Sequence, residues 1–377
     1  MNRSGLRSSA WLSLALAGVV AGCAAQSPQA TPTTAAATTG AVRLAPGDSG
    51  DPAVHHDFTL RANGVDNVFT WIPRFEAYQL VRPSQAGHKD RPVGTWVGTQ
   101  PQGIPGVDWA RQEFGGFYVA KYEASRSDGT QSSAAVVRGG QPWATTWLEA
   151  NAASKALAPG VSHLMRGDEW TALAVWSELH GVDVRGNTLA GVDAERPGIT
   201  WDQKVVGEAA LTGTAKDTSW APGINLTSHT GRADGVLDLV GNIQEWDGAL
   251  SMVGYELMID NQPLDVGATV PGYVASLHTD PLLRQFGVAG RTQQTAVPFF
   301  RSDYFHGGGL TQGHDNSGTH TATPPDGAVL TYRGGRGGSF DRGHHDEPAQ
   351  AGMWLLCVNR TEDFQSNWMG FRPALRY

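Results

Sequence analysis

Gly235-Val-Leu-Asp-Leu-Val-Gly-Asn-Ile-Gln-Glu-Trp246 is the stretch that decides how the rest of the chain is understood. Its apolar run is broken by Gly241-Asn242, the residue types that a tight turn with positive φ favours. Trp246 closes the stretch in an apolar setting, where an indole is a core residue rather than a ligand contact. The same argument applies to Trp170 at the end of His163-Leu-Met-Arg-Gly-Asp-Glu-Trp170.

Upstream of this stretch, two segments have helical signatures. Trp147–Leu157 (WLEANAASKAL) is Ala-rich and halts at Pro159-Gly160. Gly167–Leu179 (GDEWTALAVWSEL) offers Asp168 as N-cap and gathers Trp170, Leu173, Ala174 and Trp176 near one face. It stops at His180-Gly181, a glycine C-cap. Asn67–Pro73 and Gly116–Glu123 carry the β-branched and aromatic residues of strands. From Gly181 to Tyr332 only brief strand-like runs stand among Gly, Asp, Thr and Asn, and no fixed-period repeat supports a solenoid or propeller.

Composition narrows the classes further. With 48 Gly, 21 Pro and 13 Trp in 377 residues, the chain is loop-rich, and its indoles are packed or placed at a binding surface. The expected class is α+β: short strands, two main helices and long irregular loops. Lys+Arg number 28 against 36 Asp+Glu, a net charge of −8, which argues against a nucleic-acid partner. Charged residues make up 17% and hydrophobic ones 40%, enough to bury a core.

The N-terminal segment has a different character. Arg3 and Arg7 precede an apolar run, Ala10 to Ala21, too short to span a bilayer, as in a secretory signal. It ends in Val20-Ala21-Gly22-Cys23, which resembles the lipobox of bacterial lipoproteins, and this implies acylation of Cys23. Ala24, rather than Asp, follows the cysteine, which favours the outer membrane or cell surface. The expected organisation is a signal peptide over 1–22, a lipidated Cys and Ala/Thr/Pro-rich tether over 23–57, and a domain over 58–377. Cys357 is then the one remaining thiol, so no internal disulfide forms in the mature chain.

Six segments, in order, resemble the family of the formylglycine-generating (sulfatase-modifying) enzyme, whose core is a variant of the C-type lectin fold. They are Phe69-Thr-Trp-Ile-Pro73, Gly116 to Ser125, His163 to Trp170, Gly235 to Trp246, Arg336-Gly-Gly-Ser-Phe340 and Gly370-Phe-Arg372. The resemblance implies a structural calcium near the Gly241-Asn242 turn, with Glu245 as its carboxylate ligand. The family's oxidase chemistry needs a pair of cysteines after the Arg-Gly-Gly-Ser motif to hold Cu(I). Those positions are Arg342 and Glu347 here, which have no thiolate chemistry. Cys357 stands alone ten residues further on. His344-His345-Asp346-Glu347 is metal-capable in residue type, but four adjacent side chains do not converge easily on one ion. His306, His314 and His320 lack the i, i+4 spacing of a helical ligand pair. No catalytic residues and no cofactor beyond the calcium are therefore expected.

The C-terminal segment, about 336–372, is similar to the variable proteins of diversity-generating retroelements. Arg336-Gly-Gly-Ser, Ala351-Gly352 and Gly370-Phe-Arg372 match that group's constant frame. The resemblance places a variable ligand-binding face at Phe340, Asp341, Arg342, His344, His345, Asp346, Trp354, Cys357, Asn359, Arg360, Asp363, Phe364, Asn367 and Trp368. These residue types are enriched at binding hot spots and paratopes. Trp354 and Trp368 depart from the pattern, because adenine-directed changes to an Asn codon do not produce Trp. The function expected is a surface-anchored lipoprotein that binds an unknown protein or cell-surface ligand. The alternatives are a sulfatase-modifying-type or related iron-dependent oxidase and a sugar-binding lectin. The paired cysteines are missing for the first, and no separate His-rich domain supports the iron enzyme.

Acylation at Cys23 leads to a direct expectation: Cys23→Ala releases the protein from membranes and abolishes incorporation of labelled palmitate. A variant that still pellets with membranes and still takes up label contradicts the anchor.

Overall fold

The protein is described by a computed structural model that covers residues 34–36, 51, 53–82, 91–100, 108–127, 133–202, 209–253, 256–260, 262–263, 305–307, 331–340 and 351–376. The chain divides into two units, Met1–Thr31 and Pro32–Tyr377. The first unit, with Cys23, lies outside the described residues. Among the described residues no helix is long and apolar enough to cross a membrane.

β1 (Thr34–Ala36) is followed by a hairpin of β2 (Asp57–Ala62) and β3 (Val65–Ile72). The hairpin turns on Asn63-Gly64 with φ of 54° and 78°, the two-residue loop whose twist matches its flanking strands. β4 (Phe75–Arg82), β5 (Arg91–Val97) and β6 (Asp108–Phe114) form a three-stranded sheet with β4 in the middle. Next come β7 (Phe117–Ala120), the pair β8 (Ser125–Arg126) and β9 (Ala134–Ala135), then α1 (Trp147–Leu157), β10 (Ser162–Leu164) and α2 (Gly167–Leu179). The remaining strands are β11 (Gln244–Val253), β12 (Glu256–Ile259), β13 (Gln262–Pro263), β14 (Phe305–Gly307), β15 (Thr331–Gly337), β16 (Gly352–Thr361), β17 (Met369–Gly370) and β18 (Pro373–Leu375).

Two larger sheets organise the molecule, and with the two helices they make it an α+β protein. One runs β1-β2-β3-β7-β18-β10, so early and final strands meet on β7. The other runs β13-β12-β11-β15-β16-β14, with β17 parallel to β11. Thr34–Ala36 pairs with Thr59–Arg61, and the Asp57 carboxylate accepts from Lys121 Nζ at 2.6 Å. Ordered structure therefore reaches upstream of residue 58, into the stretch expected to be tether.

Both helices occupy their expected spans, but the capping of α2 differs from expectation. Arg166 is the N-cap, and Glu169 reaches back to accept its N–H at 2.9 Å. Asp168 lies inside the first turn, where it accepts from Arg166 Nε at 3.0 Å. At the other end Gly181 and Val182 donate to the carbonyls of Glu178 and Ser177 at 3.1 and 2.8 Å, the paired bonds of a Schellman cap. Nor does α2 bury a single face. Trp170 to Val175 are all buried, as in a helix enclosed by its own domain, while Trp176 is half-buried against Phe75 and His55.

The longest departure from expectation is β11, ten residues inside a stretch that shows only brief strand-like runs in sequence. Its residues from Gln244 to Asp247 and from Ala249 to Ser251 are buried, so no polar face alternates with an apolar one. Its pairing with β15 is interrupted between Trp246 and Ser251. There Asp247 Oδ1 accepts the N–H groups of Gly167, Ala249 and Leu250 at 3.1, 2.9 and 3.0 Å. β16 is also ten residues long, longer than the short strands expected.

The two indoles expected in the core are there, and each places its one polar atom. Trp246 Nε1 donates to the Thr145 carbonyl at 2.8 Å and Trp170 Nε1 to that of Met353 at 2.6 Å. Phe371 is fully buried, in T-shaped contact with Trp143 at 5.4 Å. Phe371→Ala should therefore cost about 3–5 kcal/mol in urea unfolding. A loss below about 1 kcal/mol contradicts its place in the core.

Candidate functional site

The C-terminal segment contains a fully buried frame and, next to it, a partly exposed loop. The frame centres on Arg372, which has no solvent exposure. Its Nε donates to both oxygens of Glu245 at 3.1 and 2.9 Å, and Nη2 adds a bond of 2.7 Å. Nη1 donates to the Ala120 carbonyl at 2.9 Å, and Nη2 to those of Leu237 at 2.9 Å and Asp238 at 3.4 Å. Glu245, the carboxylate that the resemblance assigns to calcium, thus has both of its oxygens accepting from a guanidinium. Among the described residues no group of three or more His, Cys, Asp or Glu side chains is arranged to hold a metal ion.

Two further buried carboxylates surround the pair. Glu123 accepts from the Ile243 amide at 3.2 Å and from Asn242 Nδ2, and Asp238 accepts from the Gly213 amide and from Trp201 Nε1 at 3.4 Å. Burial pushes Glu123 well above the ordinary carboxylate range, Asp238 and Glu245 add repulsion, and Arg372 opposes the shift. Burial also raises Asp238 and Glu245, again against Arg372. Asn242, at φ 58°, joins this network to the turn, accepting from the Ala210 amide at 2.8 Å and from Asn187 Nδ2 at 3.1 Å. Gly241 before it has φ 71°, and a side chain there would meet the Asn187 carbonyl oxygen at 2.2 Å. Positive φ at both residues is what the sequence leads one to expect.

The loop runs from Thr361 to Trp368. Asp363, Gln365 and Asn367 are exposed, while Phe364 and Trp368 are half-buried. The two rings lie 5.5 Å apart, and the Arg360 guanidinium sits over both, 4.9 Å from Phe364 and 5.4 Å from Trp368. Backbone bonds from the Gln244 amide to Trp368 O and from the Thr145 amide to Met369 O, both 2.8 Å, fix the loop's exit. Arg333 Nε grips Glu362 at 2.8 Å.

The expected binding residues thus divide. Asp363 and Asn367 stand in solvent, and Phe364 and Trp368 form the half-buried aromatic pair. Phe340 is a correction: it is 3% exposed and packs with Ala209, Ile243 and Trp368, so it belongs to the frame. Arg360 is also a correction, 7% exposed and used to brace the two rings. Trp354, Cys357 and Asn359 lie within β16, where Cys357 is opposite Gly335 on β15 and His306 on β14. Asp341, Arg342, His344, His345 and Asp346 fall outside the described residues, as do Glu347, His314 and His320. Exposed Gln365 is absent from the expected set, though it lies between two residues that belong to it.

Searches of the chain against protein-family models and against curated proteins find no match.

The excess of buried carboxylates sets a pH dependence. A carboxyl whose folded pKa lies above its ordinary 4.5 favours folding below that value, and the contribution is lost as pH rises through the raised pKa. Glu123→Gln cannot ionise, so its stability relative to the wild type should climb in urea unfolding as pH is raised above the ordinary 4.5. A difference that stays constant as pH rises contradicts the assignment.

Proposed function

We propose that the protein is a surface-anchored lipoprotein whose C-type-lectin-like domain binds a macromolecular ligand through its C-terminal segment, without chemistry of its own. One observation carries this reading: within a dozen residues the chain passes from a loop with three exposed polar side chains to fully buried Phe371 and Arg372. A face that tolerates sequence change needs this separation, since its side chains must vary without disturbing the core. The half-buried aromatic pair Phe364 and Trp368 adds side chains of the kind that dominate binding hot spots. The motifs of a retroelement variable protein, the lipobox at Cys23 and the polar segment after it support the same reading. The ligand is a protein or another cell-surface molecule, and the net charge of −8 disfavours nucleic acid. The oxidase alternative has Arg342 and Glu347 where its thiolates belong.

The neighbouring DNA tests the reading. A near-copy of the codons for 340–372, differing at adenines and lying beside a reverse transcriptase, is expected, and its absence contradicts the variable-protein assignment. At the protein level, alanine at Asp363, Gln365 or Asn367 should change stability by no more than about 0.5 kcal/mol. Losses comparable to that of Phe371→Ala would make these side chains part of the frame.

A further inference from the structure

Between α1, the start of α2 and strands β11 and β15 lies a cavity of about 410 Å³, lined among others by Trp147, Lys155, Arg166, Asp260, Arg333 and Arg376. Its size is that of a small-molecule site. Four of these side chains are cations, on a chain whose net charge is −8. Three of the cations are held in place by acids that do not line the cavity. Arg376 donates to Glu169 at 2.7 Å and to Asp168 at 2.8 Å. Arg166 Nε donates to Asp168 at 3.0 Å. Arg333 lies 3.7 Å over the Trp147 ring and donates to Glu362. Lys155 has no acidic partner among the described residues.

Asp260 is different from those acids. It is the one carboxylate lining the cavity among the described residues, it sits on the turn between β12 and β13, and its side chain is 55% exposed. It accepts from Arg166 Nη1, as the carboxylate of a bound molecule would. Its backbone is in the left-handed region, φ 51°, a conformation that Asp and Asn tolerate in a turn. Asp260 is thus the acid that meets Arg166 from within the cavity, where Lys155 also lies.

We infer that this cavity binds a small organic carboxylate, which displaces Asp260 from Arg166 and gains the attraction of Lys155. Asp260 is then an internal competitor that lowers the affinity of the site. The inference stands on the cavity alone and does not depend on the C-terminal loop being a binding face.

Titration calorimetry of the full chain with D-glucuronate, succinate and inorganic phosphate tests it. Saturable binding of glucuronate or succinate is expected, and the tighter of the two separates an acidic sugar from an aliphatic acid. Asp260→Asn keeps a residue that tolerates the left-handed backbone and should tighten that binding about tenfold. Lys155→Ala, at an exposed helical position, should weaken it several-fold with an unchanged melting temperature. No saturable carboxylate binding to either the wild type or Asp260→Asn overturns the inference. So does binding that neither substitution changes, or binding of phosphate alone.

Discussion

One guanidinium without access to water joins parts of the chain that are far apart in sequence. Arg372 reaches Glu245 on β11, Ala120 on β7 and the carbonyls of Leu237 and Asp238 before the turn. Taking such an ion out of water costs several kcal/mol, which is offset only when its donors meet well-placed acceptors. Five donor–acceptor contacts within 3.1 Å, three of them to one carboxylate, supply that condition. The two sheets therefore cannot slide past each other without leaving a charge buried and unpaired. The remaining carboxylates, Glu123 and Asp238, are raised first of all by burial, with repulsion from Asp238 and Glu245 adding to the shift at Glu123 and Arg372 opposing it at both.

Where structure depends on local signals, the sequence is a good guide. The helices Trp147–Leu157 and Gly167–Leu179 end where proline and glycine say they should, and Gly241-Asn242 takes the positive φ that its residue types favour. Where structure depends on distant residues, the guide fails for physical reasons. Glu245 shows only a carboxylate in an apolar run, and the guanidinium it accepts from stands 127 positions away at Arg372. Phe340 has the character of a displayed aromatic until Ile243 and Ala209 close over it. β11 lacks alternation because both faces are covered, so no period announces it. Lone charged residues inside apolar motifs, Glu123, Asp238 and Arg372 among them, are the signal from which the buried polar network could have been read.

The frame makes the loop's freedom affordable in structural terms. Met369 to Arg372 are all buried and bonded, so substitutions at Asp363, Gln365 or Asn367 act on solvent rather than on the core. Glu362 is the exception within the loop. It grips Arg333, which in turn lies on Trp147, so the loop and the basic cavity share a wall. A ligand in the cavity and a partner on the loop would both bear on Arg333.

The central claim is that Arg372 and Glu245 act as a unit that holds the frame. A double-mutant cycle in urea unfolding with Arg372→Met and Glu245→Gln measures it directly. The account predicts that Arg372→Met alone costs about 3–5 kcal/mol and costs more than Glu245→Gln, because it also strands three backbone carbonyls. It predicts further that the double variant loses less than the sum of the singles by at least about 1 kcal/mol. Single losses that add to within about 0.5 kcal/mol would contradict it, because the two residues would then be independent and the frame would rest on something else.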